Sequence, residues 1–381
     1  MTTTFPNNRI RSETAACNQS PGHRLNTDSV CNHTRMPVTH FRLSMAKCAM
    51  YRWIQAFVML LSLYSTVGAA PLSEMPSALA GQESANSGHP PPLAERLHTH
   101  VVRLAGEIGE RNVWRPTALH AAADYIRQEW QGQGYAVRAQ RYVAYGVASE
   151  NLEVVRTGSD RAGEIMVVGA HYDSVRGSPG ANDNASGVAA LLEIGRALKD
   201  VALRRTVRLV AFVNEEPPFF YSDEMGSGEY AKMARERGDD IRLMVSLEML
   251  GAYSDEPDSQ RYPPIIGWFY PDRANFIGFV SDIASRKVLK RTVEAFRSVS
   301  AFPSEYLATF SFVPGVSWSD QLSFWREGYP ALMVTDTAFY RYPYYHTALD
   351  TPEKLDYLLM AQVTDGLAQA IIKLANEEAP L

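Results

Sequence analysis

Residues 168–193, VGAHYDSVRGSPGANDNASGVAALLE, set a short unbroken apolar run before a glycine-rich turn and an apolar-faced helix. A run without polar alternation suits a strand buried on both faces, as parallel strands covered by helices are. The same order recurs along the chain. Strand-like runs stand at residues 135–143, 151–156, 165–170, 207–213, 243–250 and 331–335, with helical stretches such as 188–198 and 227–235 between them. Upstream, Leu97, Val101, Leu104 and Ile108, then Leu119, Tyr125, Ile126 and Trp130, fall at helical spacing. They predict two helices across residues 93–131, broken near Arg115-Pro116. Strands alternating with helices predict an α/β fold, with a mixed, largely parallel central sheet flanked by helices. Residues 253–317, rich in Pro, Tyr and Phe, break this alternation. They are expected to leave the sheet and shape a pocket, although packing of an elaborated core accounts for the same composition.

The first quarter of the chain has a different character. Residues 1–44 are polar and aperiodic, and Arg52 then precedes an apolar run from Trp53 to about Val67. That run is short for a membrane span of roughly 20 residues. Gly68, Ala69 and Ala70 follow it, the small residues of an export signal cleaved near Ala69 or Ala70. Residues 1–70 are therefore expected to be a dispensable extension carrying that signal, with Met45 or Met50 as alternative starts. Its membrane contact would be transient; an uncleaved anchor is the alternative. Residues 71–92, rich in Pro, Ser and Gly, predict a tether, and residues 93–381 a single catalytic domain. Cys17, Cys31 and Cys48 all precede the cleavage site, so an exported chain would be periplasmic or extracellular without any disulfide. A net charge of −5 with no sustained basic block argues against nucleic acid as a partner.

Functional groups in open α/β sheets gather where strands end. His171 closes the run at 165–170, Asp173 lies two residues on, and Asp183 follows in the turn before a helix that Asn184 or Ser186 is placed to cap. By itself this segment is compatible with a structural histidine and a helix-start aspartate. The run at 207–213 then delivers Glu215 and Glu216 side by side before Pro217. Adjacent carboxylates repel, and a cation that neutralises one leaves the other for proton work. Glu248 stands among Leu and Met, where an unpaired carboxylate is costly. His346 follows the run at 331–335; with His171 it completes the histidines found after His120. Two histidines and three carboxylates on four strand edges form a co-catalytic zinc constellation.

The order H-x-D, D in NDNASG, E-E, an acidic residue in LEMLG, and YHT with DT downstream resembles the di-zinc metallopeptidases that include bacterial leucyl aminopeptidases, aminopeptidase Y and glutamate carboxypeptidases. The likeness runs from about Leu93 to the C-terminus. It implies that His171 and Glu248 bind one zinc and that Glu216 and His346 bind the other. Asp183 would bridge the two, Glu215 would be the general base, and Asp173 would orient His171. It also implies a cis peptide at Asp183-Asn184, peptide substrates and an exopeptidase activity, foremost that of an aminopeptidase. Tyr344 and Tyr345 are both candidates to stabilise an oxyanion. The chain departs from the pattern at Glu248, where aspartate is usual, and at Gln321, where histidine is common and which is expected at the pocket rim. Carboxypeptidases and the single-zinc glutaminyl cyclases share the fold, so fold alone leaves the reaction open.

Overall fold

The computed structural model describes residues 92–381. The export signal, the cysteines and nearly all of the tether lie outside the described residues. The described chain opens with α1, Leu93–Val101, continued by a π-helical turn, Val102–Ile108. Helix α2, Pro116–Gly132, starts on its proline, where a missing N–H costs nothing. The break at Arg115-Pro116 thus falls where the sequence placed it.

Among the described residues, eight strands form one sheet. In chain order they are β1 (Arg138–Ala144), β2 (Val147–Arg156), β3 (Arg161–His171), β4 (Arg205–Phe212), β5 (Asp240–Glu248), β6 (Ile277–Asp282), β7 (Ser304–Thr309) and β8 (Ala331–Thr335). Their spatial order is β1-β2-β4-β3-β5-β8-β6-β7. The middle four, β4, β3, β5 and β8, are mutually parallel, while β1, β2 and β6 join through antiparallel pairings and β7 runs parallel to β6. The mixed, largely parallel sheet is as expected.

Alternation along the central strands sorts the two faces. Met166, Val168 and Ala170 of β3 join Leu209 and Ala211 of β4 in the larger core, under helices α3 (Gly187–Leu198), α5 (Arg286–Val299) and α7 (Tyr357–Asn376). Val167, Val210 and Phe212 face the other way, against Tyr230 and Ala234 of α4 (Gly226–Glu236) and Phe324 of α6 (Gln321–Arg326). Helix α7 is long and apolar enough to cross a membrane, but more than half of its most apolar stretch is buried in the core, as a core helix's would be.

Residues 253–317 differ from expectation. They contain β6, α5 and β7, so this region extends the sheet rather than only leaving it. Both strands are six residues long, one with a glycine and one with a glutamate, and their strand character depends on pairing with β8 and with each other. Strand β8 comes last in sequence yet sits between β5 and β6.

Candidate metal centre

The four parallel strands end on the same edge, and each delivers at least one chemical group there. His171 is the last residue of β3 and Glu248 the last of β5; Glu215 and Glu216 follow β4, and His346 lies on the segment after β8. Asp183 comes from the turn between β3 and α3. All the sequence-predicted groups meet at this edge, and all but the half-buried His346 are buried.

The turn that carries Asp183 is tied from several sides. Its peptide to Asn184 is cis. Asn184 Oδ1 accepts from the Gly187 and Met249 amides at 3.1 Å each, and its Nδ2 donates to the Leu247 carbonyl at 2.8 Å. Asn184 therefore caps α3. Ser186 has another task, donating to the Asn182 carbonyl and accepting from the Leu250 amide. A Cβ on Gly187 would stand 2.5 Å from the Leu247 carbonyl oxygen, so only glycine admits this approach. Asp350, in the DT downstream of His346, accepts the amides of Asn182 and Asp183 at 2.8 and 3.1 Å. Buried Arg111 donates to the carbonyls of Tyr172 (2.6 Å) and Gly180 (2.7 Å), bracing the loop ahead of the turn.

The result is two groups sharing one aspartate. His171 Nε2 stands 3.4 Å from Asp183 Oδ1 and 3.3 Å from Glu248 Oε2. His346 Nε2 stands 3.1 Å from Asp183 Oδ2 and 3.3 Å from Glu216 Oε2. Each aspartate oxygen serves one group. Donor atoms about 2.0 Å from a tetrahedral ion lie roughly 3.3 Å from one another, wider than the usual 2.7–2.9 Å of charged hydrogen bonds. Glu216 Oε1 and His171 Nδ1 are buried and lack hydrogen-bond partners among the described residues. Both triads therefore have the spacing and donor chemistry of a metal site.

Glu215 belongs to neither triad. Burial first, then repulsion from Glu216 and Glu248, raises its carboxyl well above the usual range against the pull of His171. Asp173 Oδ1 is 3.5 Å from His171 Nδ1. Its two oxygens accept the amides of Glu215 and Glu216 at 3.1 and 3.2 Å, so it also holds the glutamate pair against the end of β3. The ring of Tyr345 stacks on His346 at 3.8 Å between centroids and lines the adjoining cavity, whereas Tyr344 packs on Tyr342 under Lys354. Tyr345 is thus the one that faces the site.

Three neighbours escaped the sequence reading. Ser319 donates to Glu248 Oε2 at 2.6 Å. Asp320 is fully buried, neither of its oxygens has a hydrogen-bond partner among the described residues, and burial raises it to about 7. Asp336 accepts from Asn182 and from the Ala252 amide. The stretch SWSDQ offered one signal, a Ser-Asp pair beside the departing Gln321. Gln321 itself is not on the rim. It is buried and donates to the carbonyl of Val316 behind the cavity wall.

The family model of peptidase family M28 matches residues 151–371, which contain both triads and Glu215. The chain belongs to peptidase family M28. This M28 protein is a hydrolase, a metallopeptidase. It is 39% identical over 282 residues to the uncharacterized protein YfbL of Escherichia coli (strain K12), spanning 72% of this chain and 86% of that one. Leucine aminopeptidase 1 of Arthroderma otae is 24% identical over 315 residues, 74% of this chain and 78% of its own. The fold of the M28 chain superposes on BSAP, a zinc aminopeptidase from Bacillus subtilis, with a TM-score of 0.61 at 16% identity, covering 75% of this chain and 96% of that one.

Proposed function

We propose that the protein is an exported aminopeptidase that holds two zinc ions and removes N-terminal residues from peptides. His171, Asp183 and Glu248 hold one ion; Asp183, Glu216 and His346 hold the other. The observation that carries this reading is the division of Asp183, one oxygen to each triad, with a fourth carboxylate, Glu215, belonging to neither. The relatives named aminopeptidases favour the same substrate class.

Bound zinc supplies Lewis-acid polarisation of the scissile carbonyl and makes water more acidic. The protein's own part is proton transfer and positioning. Glu215, buried with its proton affinity raised, accepts a proton from the attacking water and returns it to the leaving amine. Asp173 fixes the backbone of that glutamate through the two amide hydrogen bonds. The stacked Tyr345 sets the plane of His346 and covers it.

Export is supported by the apolar run at 53–67 followed by Gly68, Ala69 and Ala70. N-terminal sequencing of the protein recovered from cell fractions tests it, with a mature start near residue 70 outside the cytoplasm as the expected result. For the activity, metal analysis is combined with aminoacyl-nitroanilides, C-terminally exposed dipeptides and Gln-peptides. Two zinc equivalents with release of the N-terminal residue are expected. Cyclisation of Gln-peptides without hydrolysis, with one zinc, would replace this reading by that of a glutaminyl cyclase.

A further inference from the structure

Beside the metal triads lies a cavity of about 110 Å³ whose far end carries a charge that the proposed chemistry does not use. Its floor is one face of the sheet. Glu248 on β5 pairs with Thr335 on β8, Thr335 with Gly278 on β6, and Gly278 with Glu305 on β7. Paired residues project to the same face, so these four form one row. At about 4.8 Å per strand, Glu305 stands roughly 14 Å from Glu248 along that row. Gly278 keeps the floor between them free of a side chain.

The walls are rings. Tyr262, Tyr270 and Tyr340 line the cavity, and each donates its hydroxyl to a backbone carbonyl, of Pro271, Tyr306 and Pro314 respectively. What they offer an occupant is therefore mainly aromatic surface. Among the described residues, lysine, arginine and histidine are absent from the lining, and its two carboxylates are Glu248 and Glu305. Glu248 already meets His171 and Ser319. Glu305 is half-buried, and its carboxylate has no hydrogen bond or ion pair to any other described residue.

We propose that this cavity receives the side chain of the substrate's N-terminal residue and selects lysine or arginine, whose cationic head pairs with Glu305. The inference rests on the aminopeptidase reading and names its substrate class. A basic side chain reaches roughly 6–7 Å from Cα by ordinary bond lengths. A charge-assisted hydrogen bond of about 2.8 Å and the length of Glu305 itself cover the rest of the row. The methylenes lie on the ring walls and the cation gains from the ring faces. Leucine would stop short and leave a desolvated carboxylate without a partner. An acidic side chain would face two carboxylates.

The test uses the zinc-loaded protein and its Glu305→Gln variant with Arg-, Lys-, Leu-, Phe- and Glu-nitroanilides. In the unaltered protein, kcat/KM for Arg and Lys should exceed that for Leu by about tenfold or more, the worth of one charged hydrogen bond. Glu305→Gln should abolish that advantage, chiefly through KM, while Leu changes by no more than about twofold and zinc content stays constant. In parallel, calorimetric binding of the products L-arginine and L-leucine should show the arginine affinity falling about tenfold in the variant and the leucine affinity unchanged. A preference for Leu or Phe in the unaltered protein, or an equal loss for all substrates in the variant, would overturn the proposal. Should no aminoacyl substrate be hydrolysed, the aminopeptidase reading fails, and the calorimetric arm still decides the pocket: arginine binding that ignores Glu305 refutes it.

Discussion

The ends of β4, β3, β5 and β8 differ from the floor over β6 and β7 in how their side chains are held. At the strand ends, segments far apart in sequence hold one another through buried polar atoms: Asp350 on the Asp183 turn, Asp173 on the Glu215-Glu216 pair, Asn184 on β5. Over β6 and β7 the neighbours are rings from loops that also carry the exposed Trp268, Phe269 and Phe312. Metal ligands tolerate displacements of only about 0.2 Å, which demands cross-linking of the first kind. Side-chain recognition tolerates more, and loops suffice for it. One half of the site is built to place atoms, the other to choose what enters.

The strongest way to break this comparison is Glu215→Gln. It should lower kcat by about 10²- to 10⁴-fold, since an amide cannot accept the water's proton, and metal analysis should still find the same zinc content. Loss of zinc would make Glu215 a ligand. Next come the proposed ligands. His346→Ala and Glu248→Ala should each lose one zinc equivalent first, from different triads, in a chelator titration. Glu248→Asp should weaken the ion shared with His171, because shortening the chain withdraws the carboxylate by about 1 Å. Two tight equivalents and full activity in Glu248→Ala would show that Glu248 is not a ligand.

Asp350→Ala sharpens the contrast at a smaller scale. It frees the amides of Asn182 and Asp183, so zinc affinity should fall about 10- to 100-fold while the preference among substrate side chains is kept. A changed preference with intact zinc binding would mean that the two halves are not separate. A proton count comes next. Burial disfavours a charged His346, but Glu216 and Asp183 outweigh it and raise the imidazole to about 10 in the metal-free protein. Its ring is therefore protonated at pH 7 and must lose that proton to bind zinc. Calorimetry in buffers of different ionisation enthalpy should register proton release, and none would show that His346 is not a ligand.

The smallest effect lies away from the site. Glu193 on α3 meets Arg96 and His100 and lies near Arg196; burial opposes its charge, but those partners prevail and lower it to about 2. A depressed carboxyl contributes stability above its ordinary range near 4.5, and that contribution is lost as pH falls toward 2. Glu193→Gln should thus destabilise by about 1–3 kcal/mol at pH 7 and by less near pH 3, read from denaturant midpoints at the two pH values. An equal loss at both would assign the residue to packing alone.

The chemical groups were legible in the sequence because a strand end is a local feature. An apolar run that stops at a histidine or a glutamate puts that residue at the sheet edge whatever its neighbours are, and this held for His171, Glu215, Glu216 and Glu248. The parallel centre of the sheet followed equally from alternating strands and helices. Tertiary structure decided the rest, because strand neighbours and buried partners are chosen across the chain. Nothing local places β8 between β5 and β6, or puts Glu305 in one row with Glu248. Nor does the sequence divide the two oxygens of Asp183, turn Asp350 back onto that loop, or bring Ser319 to Glu248. Those are long-range contacts, set by how the whole sheet buries its apolar faces while pairing its buried polar atoms.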